Sequence, residues 1–286
     1  DPMSPPAPEQ IPPPETHSRG PTVVHLNPSN PARHLLNDLF RLPELLEDIS
    51  GGSSRLAGRT TCWHWRPDGG QPGYLVRQYV HGGALGRLWG ALFTDSERMQ
   101  RELRVVRYAV LCGVPTPHPV ALRVERVWGP FVEGHLVTEY IPDALNLLEL
   151  CKGDQEGWPP QRRHAAAHAV AGAVARMHDA GIDHADLNLK NILVQPGDDG
   201  LRTHIIDLDK AVVRRPLPLG RRMANLVRLD RSVLKWAASR QSVTLSDRLR
   251  VVRSYLGHYP DWRSQWRQIL RTHATRHLRH VLTRQA

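Results

Sequence analysis

His184-Ala185-Asp186-Leu187-Asn188-Leu189-Lys190-Asn191-Ile192-Leu193, followed about fifteen residues later by Ile205-Ile206-Asp207-Leu208-Asp209, is the part of the chain whose reading decides its fold. An Asp stands two residues after a His, an Asn stands five residues after that Asp, and an apolar run of strand character follows. The second segment ends another apolar run on two carboxylates. The spacing lets Asp186 and Asn191 face one cavity, with the next strand presenting Asp207 to the same point. Phosphoryl transfer needs this set: a carboxylate beside the attacking hydroxyl, and an amide oxygen with a second carboxylate to hold a divalent cation against the phosphates. A His near an Asp is on its own a common structural pair. The two segments together, ordered after a long helix and joined by a short hairpin, carry the reading.

The order resembles the catalytic loop and metal loop of the protein-kinase-like fold. Asp186 is then the expected catalytic residue, Asn191 and Asp207 the expected Mg²⁺ ligands, and ATP the expected phosphate donor. Upstream, Leu75-Val76-Arg77-Gln78-Tyr79 reads as a strand. Arg77 there takes the place of the cation that grips the α/β-phosphates, and Glu102, or else Glu97, on the following helix braces it. Arg suits the position because it can make two parallel hydrogen bonds to carboxylate or phosphate; the bland alternative is a surface strand cation. No GxGxxG precedes the strand. Gly51-Gly52-Ser53-Ser54 and Gly58-Arg59-Thr60-Thr61 are both candidates to cover the phosphates, and Gly58 is preferred because its segment abuts a strand. Lys190 is read either as a γ-phosphate contact or as a solvated loop cation. Asp209 either assists a second metal or caps its loop.

Working outward, residues 1–21 are Pro-rich, lack periodicity and read as a disordered tail. Residues 34–50 form an amphipathic segment broken near Pro43. Strands are expected at Arg59–Trp65, Tyr74–Val80, Val120–Val127 and Leu136–Tyr140, with a helix at Asp95–Leu111. From about 143 the chain turns helical. A long Ala-rich helix runs from Pro160 to Ala180 and stops at Gly181, and helical segments follow at about 221–239, 246–257 and 261–283. The expected fold class is α+β: a strand-rich N-lobe over 22–142 and a helical C-lobe over 143–286.

The formal net charge is +10 and the pI about 10.1. The excess is uneven: residues 214–286 carry 17 Lys and Arg against three acids, while residues 1–213 are slightly acidic. Such a segment asks for an anionic partner: nucleic acid, a membrane surface or a phosphorylated substrate. The last helix sets Trp262, Trp266, Ile269 and Leu270 along one side and Arg263, Arg267 and Arg271 along another. That face either packs on the helical lobe or lies on an anionic membrane surface, and both can hold. Three scattered cysteines indicate neither a disulfide framework nor a zinc site. No apolar run is long enough for a membrane span, so any membrane contact is peripheral. A nucleic-acid-binding reading of the basic tail leaves Asp186, Asn191 and Asp207 unexplained, and nucleic acid is not an expected partner.

Only about a dozen residues separate Asp207 from the next helix, and no APE motif follows. A protein kinase docks its peptide on a longer segment there, so a small or lipid-linked acceptor is expected. LVRQYVHGGALGRLWG (75–90), RELRVVRYAVLCGVPTPHPVA (101–121), LVTEYIPDA (136–144), HADLNLKNILV (184–194) and IIDLDKA (205–211) resemble the lipopolysaccharide kinases of Gram-negative bacteria, the Kdo (3-deoxy-D-manno-octulosonic acid) kinases above all. ANLVRLDRSVLKW (224–236) fits the same pattern. The resemblance implies ATP- and Mg²⁺-dependent phosphorylation of the 4-hydroxyl of a Kdo sugar on a lipid A precursor, at the cytoplasmic face of the inner membrane. It implies the same roles for Asp186, Asn191, Asp207, Arg77 and Glu102, and no protein partner. A heptose of the lipopolysaccharide core, or another small molecule, is the alternative acceptor.

Overall fold

The computed structural model describes residues 8–29, 32–50, 55–56, 62–67, 73–81, 90–152, 159–197, 200–237 and 243–261. The chain divides into two units, Asp1–Leu111 with Pro117–Pro142, and Cys112–Thr116 with Asp143–Ala286.

The first unit is built on an antiparallel sheet of β1 (Glu15–Arg19), β2 (Thr22–Leu26), β3 (Arg55–Leu56), β4 (Cys62–Trp65), β5 (Tyr74–Gln78), β6 (Pro119–Trp128) and β7 (Phe131–Glu139), in the order β1-β2-β6-β7-β5-β4-β3. Strand alternation gives it two apolar faces. On one, Val24, Trp63, Val76 and Val137 pack with Leu39, Leu42 and Leu46 of two short helices, α1 (Leu36–Phe40) and α2 (Leu42–Ser50). Pro43 sits in the first turn of α2, where its missing N–H costs nothing, and the break falls just before it. The other face, with Tyr79, Leu122, Val124 and Leu136, receives Met99 and Leu103 of α3 (Glu97–Leu111). Gly134 on β7 makes this close approach possible, since a Cβ there would collide with the sulfur of Met99.

Residues 15–19, expected to belong to a disordered tail, instead form β1. Their register runs Glu15 opposite Leu26 to Arg19 opposite Thr22. The alternation in this stretch is polar on both faces, so the sequence lacks the usual strand signature. Its pairing is supplied by β2, whose Val24 and Leu26 are anchored in the core. Arg59–Thr61, expected at the start of β4, lie outside the described residues.

In the second unit, Pro160 opens α5 (Pro160–Asp179), whose buried Ala166, Val170, Ala173 and Met177 make a small-residue seam. The helix ends before Gly181, which has φ +80°; a Cβ there would meet the Arg214 carbonyl at 2.5 Å, so only glycine fits. Two small sheets follow. β8 (Leu145–Asn146), β10 (Ile192–Gly197) and β11 (Gly200–Ile205) pair antiparallel in the order β11-β10-β8, and β9 (Ile182–Asp183) pairs with β12 (Val212–Val213). The described helices are completed by α4 (Leu147–Lys152), α6 (Leu219–Ala237) and α7 (Leu245–Gly257). The expected C-terminal helix with Trp262 and Arg263 lies outside the described residues.

Candidate active site

In the first unit the central strand β5 carries the candidate cation. Arg77 and Tyr79 are two residues apart and share the face of the sheet that α3 covers. Arg77 Nη2 donates to Glu102 Oε1 at 2.5 Å, and Tyr79 Oη donates to Glu102 Oε2 at 2.7 Å. The guanidinium also lies 4.8 Å from the Tyr79 ring centre. Glu102 is 1% exposed, so its charge is out of water and both its oxygens are held. Glu97, the other candidate brace, is an exposed first-turn residue whose N–H is bonded to Asp95. Tyr79 was not read from the sequence as part of this group, although its i+2 spacing from Arg77 was the available signal.

In the second unit β9 leads into the loop of Asp186. Ala185 adopts a left-handed backbone at φ +58°, a conformation that non-glycine residues hold only where their surroundings enforce it. Here the Ala185 N–H donates to Asp183 Oδ1 at 3.3 Å, and Asp183 in turn accepts from Asn225 Nδ2 at 3.1 Å and faces Arg221 Nη1 at 3.6 Å. The Asp186 N–H donates back to the His184 carbonyl at 2.7 Å. His184 is fully buried and donates through Nε2 to the Ile206 carbonyl at 3.0 Å, which ties the loop of Asp186 to the strand end that carries Asp207. Burial lowers its pKa from the ordinary value.

Two amides clamp one carbonyl. Asn188 Nδ2 and Asn191 Nδ2 both donate to the Asp186 carbonyl, at 2.9 and 3.0 Å. Asn188 Oδ1 accepts the Lys190 N–H at 2.9 Å. The backbone is thereby fixed while the Asp186 carboxylate stays about half exposed, with Lys210 Nζ 3.9 Å away. The Ile206 N–H donates to the Asn191 carbonyl at 3.0 Å, so the hairpin of β10 and β11 sets Asn191 beside the strand end that carries Asp207. Asp207 is itself left-handed at φ +62°. Because Asn191 spends its Nδ2 on the Asp186 carbonyl, its Oδ1 remains as a neutral oxygen donor, and the next strand end carries the Asp207 carboxylate. Such hard oxygens suit Mg²⁺, and the donor set fits that ion. Asp209 is buried in the short turn Leu208–Lys210.

Asp186, Asn191 and Asp207 are thus gathered by one hairpin, and Arg77 with Glu102 by one strand–helix contact. The ammonium of Lys190 lies 5.5 Å from the Trp236 ring centre, and those of Lys152 and Lys235 lie 5.1 and 5.7 Å from it. Gly58 lies outside the described residues. Lys210 and Asn225 were not singled out from the sequence, although both lie inside stretches that carried the resemblance. Among the described residues no helix is long and apolar enough to cross a membrane.

The family described as "Lipopolysaccharide kinase (Kdo/WaaP) family" matches residues 68–255. The chain is 32% identical over 197 residues to a 3-deoxy-D-manno-octulosonic acid kinase of Vibrio parahaemolyticus, covering 68% of this chain and 76% of that protein. It is 29% identical over 205 residues to the Vibrio cholerae kinase of the same name, covering 69% and 80%. Against a Xanthomonas axonopodis kinase of that name the figures are 33% over 188 residues, 63% and 70%. Among solved structures, one titled "WaaP in complex with acyl carrier protein" superposes with a TM-score of 0.55 at 22% identity, covering 88% of this chain and 98% of that one, and shares the fold. With a strand-rich unit, a helical unit and the motif of Asp186 inside the matched span, the chain belongs to the lipopolysaccharide kinase (Kdo/WaaP) family.

Proposed function

We propose that this kinase transfers the γ-phosphoryl group of ATP to the 4-hydroxyl of a Kdo sugar on a lipid A precursor, working peripherally at the cytoplasmic face of the inner membrane. The observation that carries the chemistry is the double amide clamp on Asp186, which fixes the loop and leaves the carboxylate open to an acceptor. The acceptor is supported by the sequence relationship to three proteins named for Kdo.

In this reading Asp186 accepts a hydrogen bond from the sugar hydroxyl, orients its oxygen toward the γ-phosphorus, and takes its proton late as the new P–O bond forms and the bond to the β-phosphate breaks. Lys210 lies beside that carboxylate, 3.9 Å away. Arg77, held by Glu102 and Tyr79, binds the α/β-phosphates. Asn191 and Asp207 hold Mg²⁺, which when bound neutralises phosphate charge. The basic segment over 214–286 supplies an electrostatic attraction to anionic lipid.

The position of transfer tests the reading. Phosphorus–proton correlation spectroscopy of the delipidated product is expected to place the new phosphate on Kdo O4. A phosphate on a core heptose would move the chain to the heptose branch of the same family.

A further inference from the structure

The hairpin of β6 and β7 outruns the sheet that holds it. Pairing with β2 ends at Glu125, after which the Arg126 N–H donates to the Pro21 carbonyl at 3.0 Å. Pairing with β5 ends at His135, and among the described residues one further bridge, Phe93 to Val132, supports that side. Beyond these contacts Arg126, Val127, Trp128, Gly129 and Pro130 are all exposed. Arg126 stands opposite Val132 and Trp128 opposite Phe131, with a bulge at Val127 between the two pairs. The rings of Trp128 and Phe131 stack, 5.7 Å between centres and 7° between planes. Left-handed Gly129 and Pro130 make the turn, and a Cβ at Gly129 would meet no atom within 4 Å.

Closing a hairpin does not call for such a tip, since a polar Asn-Gly pair closes a two-residue turn as well. Trp128, at 72%, is the most exposed large hydrophobic side chain among the described residues. Its stack covers one ring with another rather than with core. From 126 to 132 the sequence is Arg-Val-Trp-Gly-Pro-Phe-Val, which holds one charge, a positive one. The nearest carboxylates along the two strands, Glu125 and Glu133, face each other one pair behind, and Glu125 accepts from Arg123 Nη2 at 2.8 Å. The finger is therefore amphiphilic along its length: aromatic rings at the end, a cation behind them. Trp favours the boundary between water and hydrocarbon, where its ring is apolar and its N–H stays wet. An arginine stem can lie along apolar surface while its head meets a lipid phosphate.

We infer that the tip of this hairpin, Trp128 and Phe131 with Arg126 behind them, is the segment by which the chain enters an anionic lipid surface; the inference rests on the lipid-borne acceptor and the peripheral placement proposed above. A bilayer fits the tip better than a protein groove does. The tip offers no carboxylate, amide or hydroxyl side chain to fix a specific protein partner, and the chain's net charge of +10 favours an anionic surface. β7 continues from Phe131 to Leu136, which stands opposite Arg77, so a strand run of roughly 17 Å links the lipid contact to the strand of Arg77.

The test is flotation of the whole protein with phosphatidylethanolamine vesicles that contain phosphatidylglycerol, at high salt to screen the basic segment over 214–286. The wild type is expected to float. The variant Trp128→Ser/Phe131→Ser, with its fold checked by circular dichroism, is expected to bind at least about tenfold more weakly. Vesicles with brominated acyl chains are expected to quench tryptophan fluorescence of the wild type but not of Trp128→Phe, which keeps an aromatic anchor and loses the indole. Equal binding by the double variant overturns the anchor. Quenching that Trp128→Phe retains also overturns it, because another tryptophan is then the one in the bilayer. At low salt Arg126→Gln is expected to bind phosphatidylglycerol vesicles about fivefold more weakly and phosphatidylcholine vesicles as the wild type does; an equal loss on both overturns the phosphate contact. A wild type that does not float overturns the anchor and the peripheral placement together. Insertion through Trp128 without transfer to Kdo keeps the anchor and removes the acceptor.

Discussion

Arg77 and Glu102, 25 residues apart in sequence, meet at 2.5 Å across the contact of a central strand with the helix that covers it, and the carboxylate is 1% exposed. An ionised group so deeply buried is tolerable only with its partner in place. Arg77→Met is therefore expected to destabilise the first unit by about 3 kcal/mol and to weaken ATP use by about 10²-fold or more. Urea denaturation and kcat/KM for ATP check both numbers. Glu102→Gln combined with Arg77→Met should be far less than additive in stability, because the double variant buries no lone charge.

Asp186→Ala is expected to lower phosphoryl transfer by at least about 10²- to 10⁴-fold while nucleotide binding persists. The loop backbone is held by the amides of Asn188 and Asn191 through the Asp186 carbonyl, which alanine keeps. Single-turnover transfer together with fluorescent-nucleotide titration separates the two effects.

The residues proposed to carry the chemistry could be picked out in the sequence because phosphoryl transfer dictates their types and their order. Asp186, Asn191 and Asp207 lie within a span of 22 residues, and a hairpin is enough to bring them together. The group around Arg77 was legible only in part. A carboxylate partner on the next helix was expected, but which of Glu97 and Glu102 faced the sheet depended on the helix phase. Met99 and Leu103 set that phase by packing on the sheet, which buries Glu102 between them in sequence. Strand β1 was not legible. Its residues are polar on both faces, and it is a strand because β2 offers an edge. The amide clamp by Asn188 and the support of Asp183 by Asn225 were hidden for a different reason: both depend on backbone conformations, at Ala185 above all, that no periodicity announces.

Asn225 is a fully buried positioning residue: its amide holds Asp183, which holds the N–H of left-handed Ala185. Asn225→Ala is expected to cost about 1–3 kcal/mol of stability and to lower kcat with the KM for ATP little changed. Asn225→Asp should be worse than alanine, because it sets a second carboxylate against Asp183. A variant ranking in the opposite order would remove the positioning role.

Acid should destabilise the protein through its buried histidines. Burial brings His178 down from the ordinary value near 6.5 to about 3, and burial with Arg123 nearby brings His135 to about 4. The folded chain keeps both neutral where the unfolded chain takes up protons, so the stability they contribute is full above pH 6.5 and is lost as pH falls toward 3 to 4. Each contributes a slope of about 1.4 kcal/mol per pH unit in that window. Urea midpoints measured from pH 8 to 4 should be flat above neutrality and fall below it. The fall should be shallower in His178→Gln, which removes the ring that is bonded to Tyr255 Oη at 2.7 Å.

The central claim is the acceptor. The measurement that tests it most directly incubates the protein with ATP, Mg²⁺ and a lipid A precursor either carrying Kdo or lacking it, and reads the lipid by mass spectrometry. The account predicts one added phosphate on the Kdo-bearing lipid, none on the Kdo-free lipid, and none on either with Asp186→Ala. A phosphate added equally to both lipids, or to neither while ATP binds normally, would contradict it.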